Sequence, residues 1–243
     1  MMASFDRSRR RFCGFCATSV AAMSAALPRA LEAGERPLLK RYNPVRLVRP
    51  QGEQLRIDRL VPGVNYLFQY PFASTPCFLI DLGRPVAEPV ELETREHQPY
   101  VWRGGVGPNR SIVAFSAICS HRMTHPAPEV SFISYHPAGH HDPRQRGVIH
   151  CCSENSVYDP AAGARVLSGP APEPLAAIEL EYDDGNGTLM AVGASGGTLF
   201  DRFLHEFRFR LAIDYGEPGY RRHVRERTPV VTLDEYTRRP YEC

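Results

Sequence analysis

Two short stretches, Cys119-Ser-His121 and His150-Cys-Cys-Ser-Glu-Asn-Ser-Val-Tyr-Asp-Pro160, decide how this chain is read. The first closes an apolar, strand-like run from Ile112 to Ile118. A thiolate and an imidazole two residues apart at the end of such a run make half of a metal site. A second half would be a Cys with a His three residues on. The second stretch offers the Cys twice and lacks that His. A loop of fixed shape, Gly169-Pro-Ala-Pro172, follows a few residues later.

Outward from these stretches, the chain reads as many short strands. Tyr66–Tyr70 and Pro76–Asp81 are aromatic and branched. Val101-Trp102-Arg103 and Ser111–Ser116 flank a Gly-rich loop, Gly104–Asn109, and read as a hairpin. Val130–Tyr135 and Gly147–His150 continue the series, and Ala177–Tyr182 and Thr188–Val192 enclose an Asp183-Asp-Gly-Asn-Gly187 turn. Earlier, Val45–Val48 and Leu55–Leu60 alternate. Short strands at this spacing predict an all-β, antiparallel sandwich or barrel. The 22 prolines among 243 residues favour strands and fixed loops over long helices.

After Gly197 the period changes. Phe200, Phe203, Leu204, Phe207 and Leu211 fall on one face of a helix, and a mixed-charge tail runs to Cys243. This element is expected either to pack on the β domain with a solvated arm or to dock on a neighbouring subunit.

The composition excludes several classes. A formal net charge of +2 with no basic block interleaved with aromatics argues against nucleic acid. The glycines at 104–107 do not join a strand to a helix, so no phosphate-binding loop is present. A Cys–His hydrolase would need an orienting group that the chain does not frame.

At the N-terminus, Ser8-Arg-Arg-Arg-Phe12 precedes a mild apolar run to Leu27 and small residues up to Ala33. It resembles a twin-arginine export signal, used by proteins that fold before crossing the bacterial inner membrane. Retention as an anchor is the alternative, although the run falls short of the ~20 apolar residues that span a bilayer comfortably. The expected division is a signal or anchor at 1–33, a β domain at 34–197, and a helix with a partner-docking arm at 198–243. Cys13 and Cys16 would leave with the signal; Cys243 has Cys77 as one candidate disulfide partner.

Together, Cys119-x-His121, a second Cys segment about thirty residues on, Ser156-x-Tyr158-Asp-Pro160, Gly163 and the Gly-Pro-Ala-Pro loop resemble the Rieske iron-sulfur proteins, over roughly residues 55 to 193. The resemblance implies a Rieske-like sandwich or barrel whose two loops hold a [2Fe-2S] cluster, with two Cys on one iron and two His on the other. It further implies that Ser156 and Tyr158 donate hydrogen bonds toward cluster and ligand sulfur, and that Gly169, Pro170 and Pro172 shield the cluster. Metal-ligand candidates are Cys119, His121, Cys151, Cys152 and Asn155.

The second loop departs from the family pattern. Gapless counting back from Ser156 makes Cys151 the ligand and puts Glu154 where the second His belongs. A one-residue shift makes Cys152 the ligand and puts Asn155 there; it is preferred because it keeps the Cys-x-x spacing. Thr124 stands where an extra loop disulfide would begin. A cluster would then carry Asn, Glu or solvent as its fourth ligand, or borrow His125, His136, His140, His141 or His150, or be absent.

The resemblance implies an electron-transfer subunit of a periplasmic or membrane-associated redox complex. It would relay single electrons to a c-type cytochrome, with no catalysis on this chain. The alternative is a cluster-free structural subunit bracing a larger membrane assembly.

Overall fold

Strand residues that are apolar at every position need cover on both faces, and this chain supplies it with two cores. The computed structural model describes residues 39–86 and 88–241. The strands are β1 (Leu39–Val48), β2 (Tyr66–Gln69), β3 (Pro76–Asp81), β4 (Val90–Glu93), β5 (Pro99–Trp102), β6 (Ile112–Ser116) and β7 (Ile133–His136). They continue with β8 (Val148–Cys151), β9 (Ser156–Asp159), β10 (Arg165–Ser168), β11 (Ala177–Asp183), β12 (Thr188–Ser195), β13 (Glu226–Pro229) and β14 (Val231–Thr232). Helices α1 (Leu199–Glu206), α2 (Arg208–Tyr215) and α3 (Leu233–Tyr236) complete the set.

Eight strands form one sheet in the order β13-β1-β12-β11-β6-β3-β2-β14. Its middle shows how the two cores arise. In β3, Cys77 and Leu79 face one core while Phe78 and Ile80 face the other; in β6, Ile112 and Ala114 part from Val113 and Phe115 in the same way. Pairing of Leu79 with Ala114 and of Phe78 with Phe115 keeps like faces together. The first core also takes in Phe200, Phe203, Leu204 and Leu211 from the helices. The second holds Tyr135, Ile149, Cys151 and Tyr158 from a four-stranded sheet, β10-β9-β8-β7, and Leu92, Tyr100 and Trp102 from the β4–β5 pair. Each fully buried large apolar side chain contributes about 1.5–3 kcal/mol.

The C-terminal segment joins the two edges of the large sheet. Strand β13 runs parallel to β1, and after Val230 alone β14 pairs antiparallel with β2. The Thr228 hydroxyl donates to the Gln69 carbonyl at 3.1 Å, and the Val230 N–H donates to the Val48 carbonyl at 2.8 Å. The sheet is thereby nearly closed, and among the described residues it keeps no long unpaired edge. Helix α3 follows at once, its start fixed by a capping box between Thr232 and Glu235.

The all-β expectation holds, with informative differences. The Ala177–Tyr182 and Thr188–Val192 runs do form a hairpin, extended to Ser195. The expected hairpin across Gly104–Asn109 does not form: β5 pairs with β4, and β6 with β3 and β11. Every residue of β6 is buried, so it belongs in the centre of the large sheet. Alternating β5 (exposed, buried, exposed, buried) suits a surface pair. Leu55–Leu60 is a turn of 3-10 helix at Ile57–Arg59 rather than a strand. The helical stripe is present but divided at Phe207, which ends α1 and caps α2. The tail expected as a partner-docking arm lies along its own domain through β13, β14 and α3. The residues of the export-signal expectation, and Cys243, lie outside the described part. Among the described residues, no helix is long and apolar enough to cross a membrane.

Candidate metal centre

Strand pleat decides which side chains of the second loop face inward. Pairing sets Ile149 opposite Tyr158, His150 opposite Val157, and Cys151 opposite Ser156. Ile149, Cys151, Ser156 and Tyr158 therefore share one face, turned into the second core, while His150 and Val157 share the other. Cys151 is fully buried, and so is Cys119 at the end of the first loop.

The first loop is tied back on itself. The Cys119 N–H donates to the Thr124 carbonyl at 2.8 Å, and the Met123 N–H to the Cys119 carbonyl at 2.9 Å. Further contacts hold the loops together and tie them to the proline loop. The thiols of Cys119 and Cys151 are hydrogen-bonded to each other. The Tyr158 hydroxyl lies 3.2 Å from Cys119 Sγ and accepts the Ser120 N–H at 3.3 Å. The Ser120 hydroxyl donates to the Glu173 carbonyl at 2.6 Å, which pins the residue just after the proline loop. That loop also presses on the second one, since a Cβ on Gly169 would lie 2.3 Å from the Asn155 carbonyl oxygen.

The electrostatics split the two cysteines. The Cys119 thiol is held below its ordinary pKa, first by the hydrogen bond from Cys151, and also by Tyr158, the His121 backbone and Ser156, against the cost of burial. Cys151, the donor, is pushed up by that same bond and by burial. Burial foremost also keeps Tyr158 protonated, so its hydroxyl has a proton available for the Cys119 sulfur or the Ser120 hydroxyl, each 3.2 Å away.

His121 stands at the partly exposed rim. Its Nδ1 atom is buried without a hydrogen-bond partner, 3.9 Å from Glu154 Oε2. Arg122 Nη1 lies 3.5 Å from the other Glu154 oxygen. The remaining expected ligands are placed elsewhere. Cys152 is disulfide-bonded, to none of the other described cysteines, since Cys77, Cys119 and Cys151 are free. Asn155 adopts a left-handed backbone, φ 55°, and its side chain hydrogen-bonds His150. Cys77 is buried in the first core, its thiol donating to the Tyr70 carbonyl at 3.0 Å. The inward-facing Cys151, and Glu154 beside His121, are the two residues that gapless counting picks out. The pairing of Cys151 with Ser156 is the signal that could have chosen that counting, because positions across a hairpin mouth share a face.

Among the described residues, His136, His140 and His141 do not gather a metal site. His136 and His140 stack with ring centroids 4.4 Å apart and planes 24° apart. Nearly parallel rings direct their in-plane lone pairs past a common point rather than at it. Among the described residues no group of three or more His, Cys, Asp or Glu side chains could hold a single metal ion. A [2Fe-2S] cluster makes a different demand: two protein ligands on each of two irons. Cys119 with Cys151 and His121 with its neighbour across the cleft are pairs of that kind, and the buried, partnerless Nδ1 of His121 fits a ligand role.

No family model matches the chain. Among solved structures, it is similar to the soluble domain of the Rieske protein II (soxF) from Sulfolobus acidocaldarius. The two are 30% identical over 63% of this chain and 78% of that one, with a TM-score of 0.44. In this chain two loop tips meet over a buried thiol pair, with an imidazole two residues from the first thiol.

Proposed function

We propose that this chain is a Rieske-type electron-transfer subunit of a periplasmic or membrane-associated redox complex, passing single electrons to a c-type cytochrome. The observation that carries the reading is the meeting of Cys119 and Cys151 beneath the Tyr158 hydroxyl, with His121 beside them at the rim. A [2Fe-2S] cluster bound there would supply a one-electron couple. The chain's own residues do the rest. Cys119 and Cys151 would hold one iron as thiolates; the lowered pKa of Cys119 favours the loss of its proton, and the raised pKa of Cys151 opposes the loss of its own. Tyr158 places its hydroxyl against the Cys119 sulfur, which would withdraw charge from a bound cluster and favour its reduced state. The loop from Gly169 to Pro172, pinned by Ser120 to the first loop, keeps water from the thiol end. The thiol end is fully buried, whereas the side chains of His121 and Glu154 are 24% and 28% exposed. Electrons would therefore pass to a partner at the His121 rim.

Export is supported by the arginine-led N-terminal segment, and complex formation by Phe209 and Ile213, exposed one turn apart on α2. The test is iron and sulfide content per chain in anaerobically prepared protein, with absorbance and EPR spectra of the reduced form. A [2Fe-2S] signal at one cluster per chain is expected.

A second reading, a cluster-free structural subunit, is favoured by one observation: a carboxylate rather than an imidazole faces His121. A folded protein without iron under those conditions would select it.

A further inference from the structure

We infer that Glu154 is the fourth protein ligand, so that the second iron is held by one imidazole, His121, and one carboxylate. This rests on the Rieske-type reading above and specifies its donor set.

Position comes first. Cys151 faces inward because it pairs with Ser156, and Glu154 is the third residue after it, the spacing at which the family places its second His. A tight turn holds this segment, with the Glu154 N–H donating to the Cys151 carbonyl at 3.4 Å. Geometry comes next. Glu154 Oε2 stands 3.9 Å from His121 Nδ1, too far for a hydrogen bond, and that buried nitrogen has no hydrogen-bond partner. Two donors facing across a gap, one of them buried and unsatisfied, are arranged for an ion between them. Arg122 engages the other oxygen, Oε1, and leaves Oε2 toward His121.

The competing donors are spoken for. Asn155 turns to His150, and its carbonyl lies beneath Gly169. His150 occupies the pleat opposite to that of Cys151, with Ser134 across from it. His125 contacts the Met123 carbonyl at 2.8 Å and packs edge-on against Phe203 and Phe207. Cys152 is in a disulfide.

The substitution changes the charge. An imidazole ligand is neutral, whereas a carboxylate adds one negative charge and stabilises the oxidised cluster. The potential should then lie below that of a two-Cys, two-His centre. Arg122 offsets only part of this, because its side chain is 72% exposed and water screens the pair.

The experiment compares the full chain with its Glu154→His and Glu154→Gln variants. Three quantities are read: iron per chain, the number of strongly coupled nitrogens in the pulsed EPR spectrum of the reduced cluster, and the midpoint potential. The wild type should show one imidazole nitrogen. Glu154→His should show two and a higher potential, and Glu154→Gln should retain less iron with its circular dichroism unchanged. Two nitrogens in the wild type, or a Glu154→His cluster with unaltered nitrogen count and potential, overturn the assignment while leaving the Rieske-type reading intact. A folded wild type free of iron overturns both.

Discussion

Gly169 stands so close to the second loop that a Cβ placed on it would meet the Asn155 carbonyl oxygen at 2.3 Å and the Ser156 Cα at 2.6 Å. Its φ of +91° is in addition a conformation that L side chains rarely adopt. Gly169→Ala should therefore lift the proline loop off the site and cost about 1–3 kcal/mol. Urea denaturation measures the loss, and an unchanged midpoint would contradict the close approach. Iron retention should fall in parallel if the loop shields the thiol end as proposed above.

The adjacent cysteines differ in placement: Cys151 is buried and faces inward, whereas Cys152 is disulfide-bonded. Cys151→Ser should abolish iron binding, because it removes an inward thiol. Cys152→Ser should leave the iron content near that of the wild type and alter stability through its lost disulfide. Iron analysis of the two variants prepared side by side decides, and the reverse ranking would contradict an inward-facing Cys151.

Glu173 and Arg202 form a buried ion pair that ties α1 to the loop beside the site. Glu173 also accepts the Arg95 N–H at 3.2 Å. Burial, its largest influence, raises the Glu173 pKa, and Arg202 opposes that rise. Arg202→Met would strand a buried carboxylate, at a cost of about 2–3 kcal/mol, less than for a fully enclosed pair because the Arg202 side chain is 18% exposed. Adding Glu173→Gln should recover part of the loss in a double-mutant cycle. The single variant should regain stability on acidification, because a carboxyl group whose folded pKa lies above its unfolded value is protonated first in the native state.

His125 supplies a pH dependence of the opposite sign. Burial, foremost, lowers its pKa below 6.5, so the unfolded chain takes up this proton before the folded one. The associated stability is present above about pH 6.5 and is lost as the pH falls below it. His125→Phe keeps the edge-on ring contacts with Phe203 and Phe207 and removes the titration. Its thermal midpoint should fall less steeply than that of the wild type between neutral pH and pH 5. A residual slope is expected from His150, whose pKa burial also lowers.

Part of the site was legible because its spacing is local. Cys119 and His121 lie two residues apart at the end of an apolar strand, and Ser156 and Tyr158 lie two apart on another, so neither depends on a distant partner. The choice between Cys151 and Cys152 depends on pairing across β8 and β9, where a slip of one residue exchanges every inward side chain. Preference for the Cys-x-x spacing pointed to Cys152 and Asn155, and the structure turns both away from Cys119. The Gly-rich hairpin failed for a related reason: sequence adjacency of β5 and β6 does not reveal that β3 and β11 are the partners of β6.

The amino-acid order alone determined an all-β chain with two chemically loaded loops, because apolar alternation, turn residues and short motifs act within a few positions. Only the tertiary structure decided that the tail after Gly197 closes the chain's own sheet, with β13 on one edge and β14 on the other. It alone also set Glu154 facing His121, since that meeting depends on long-range packing that brings two loops together from 33 residues apart.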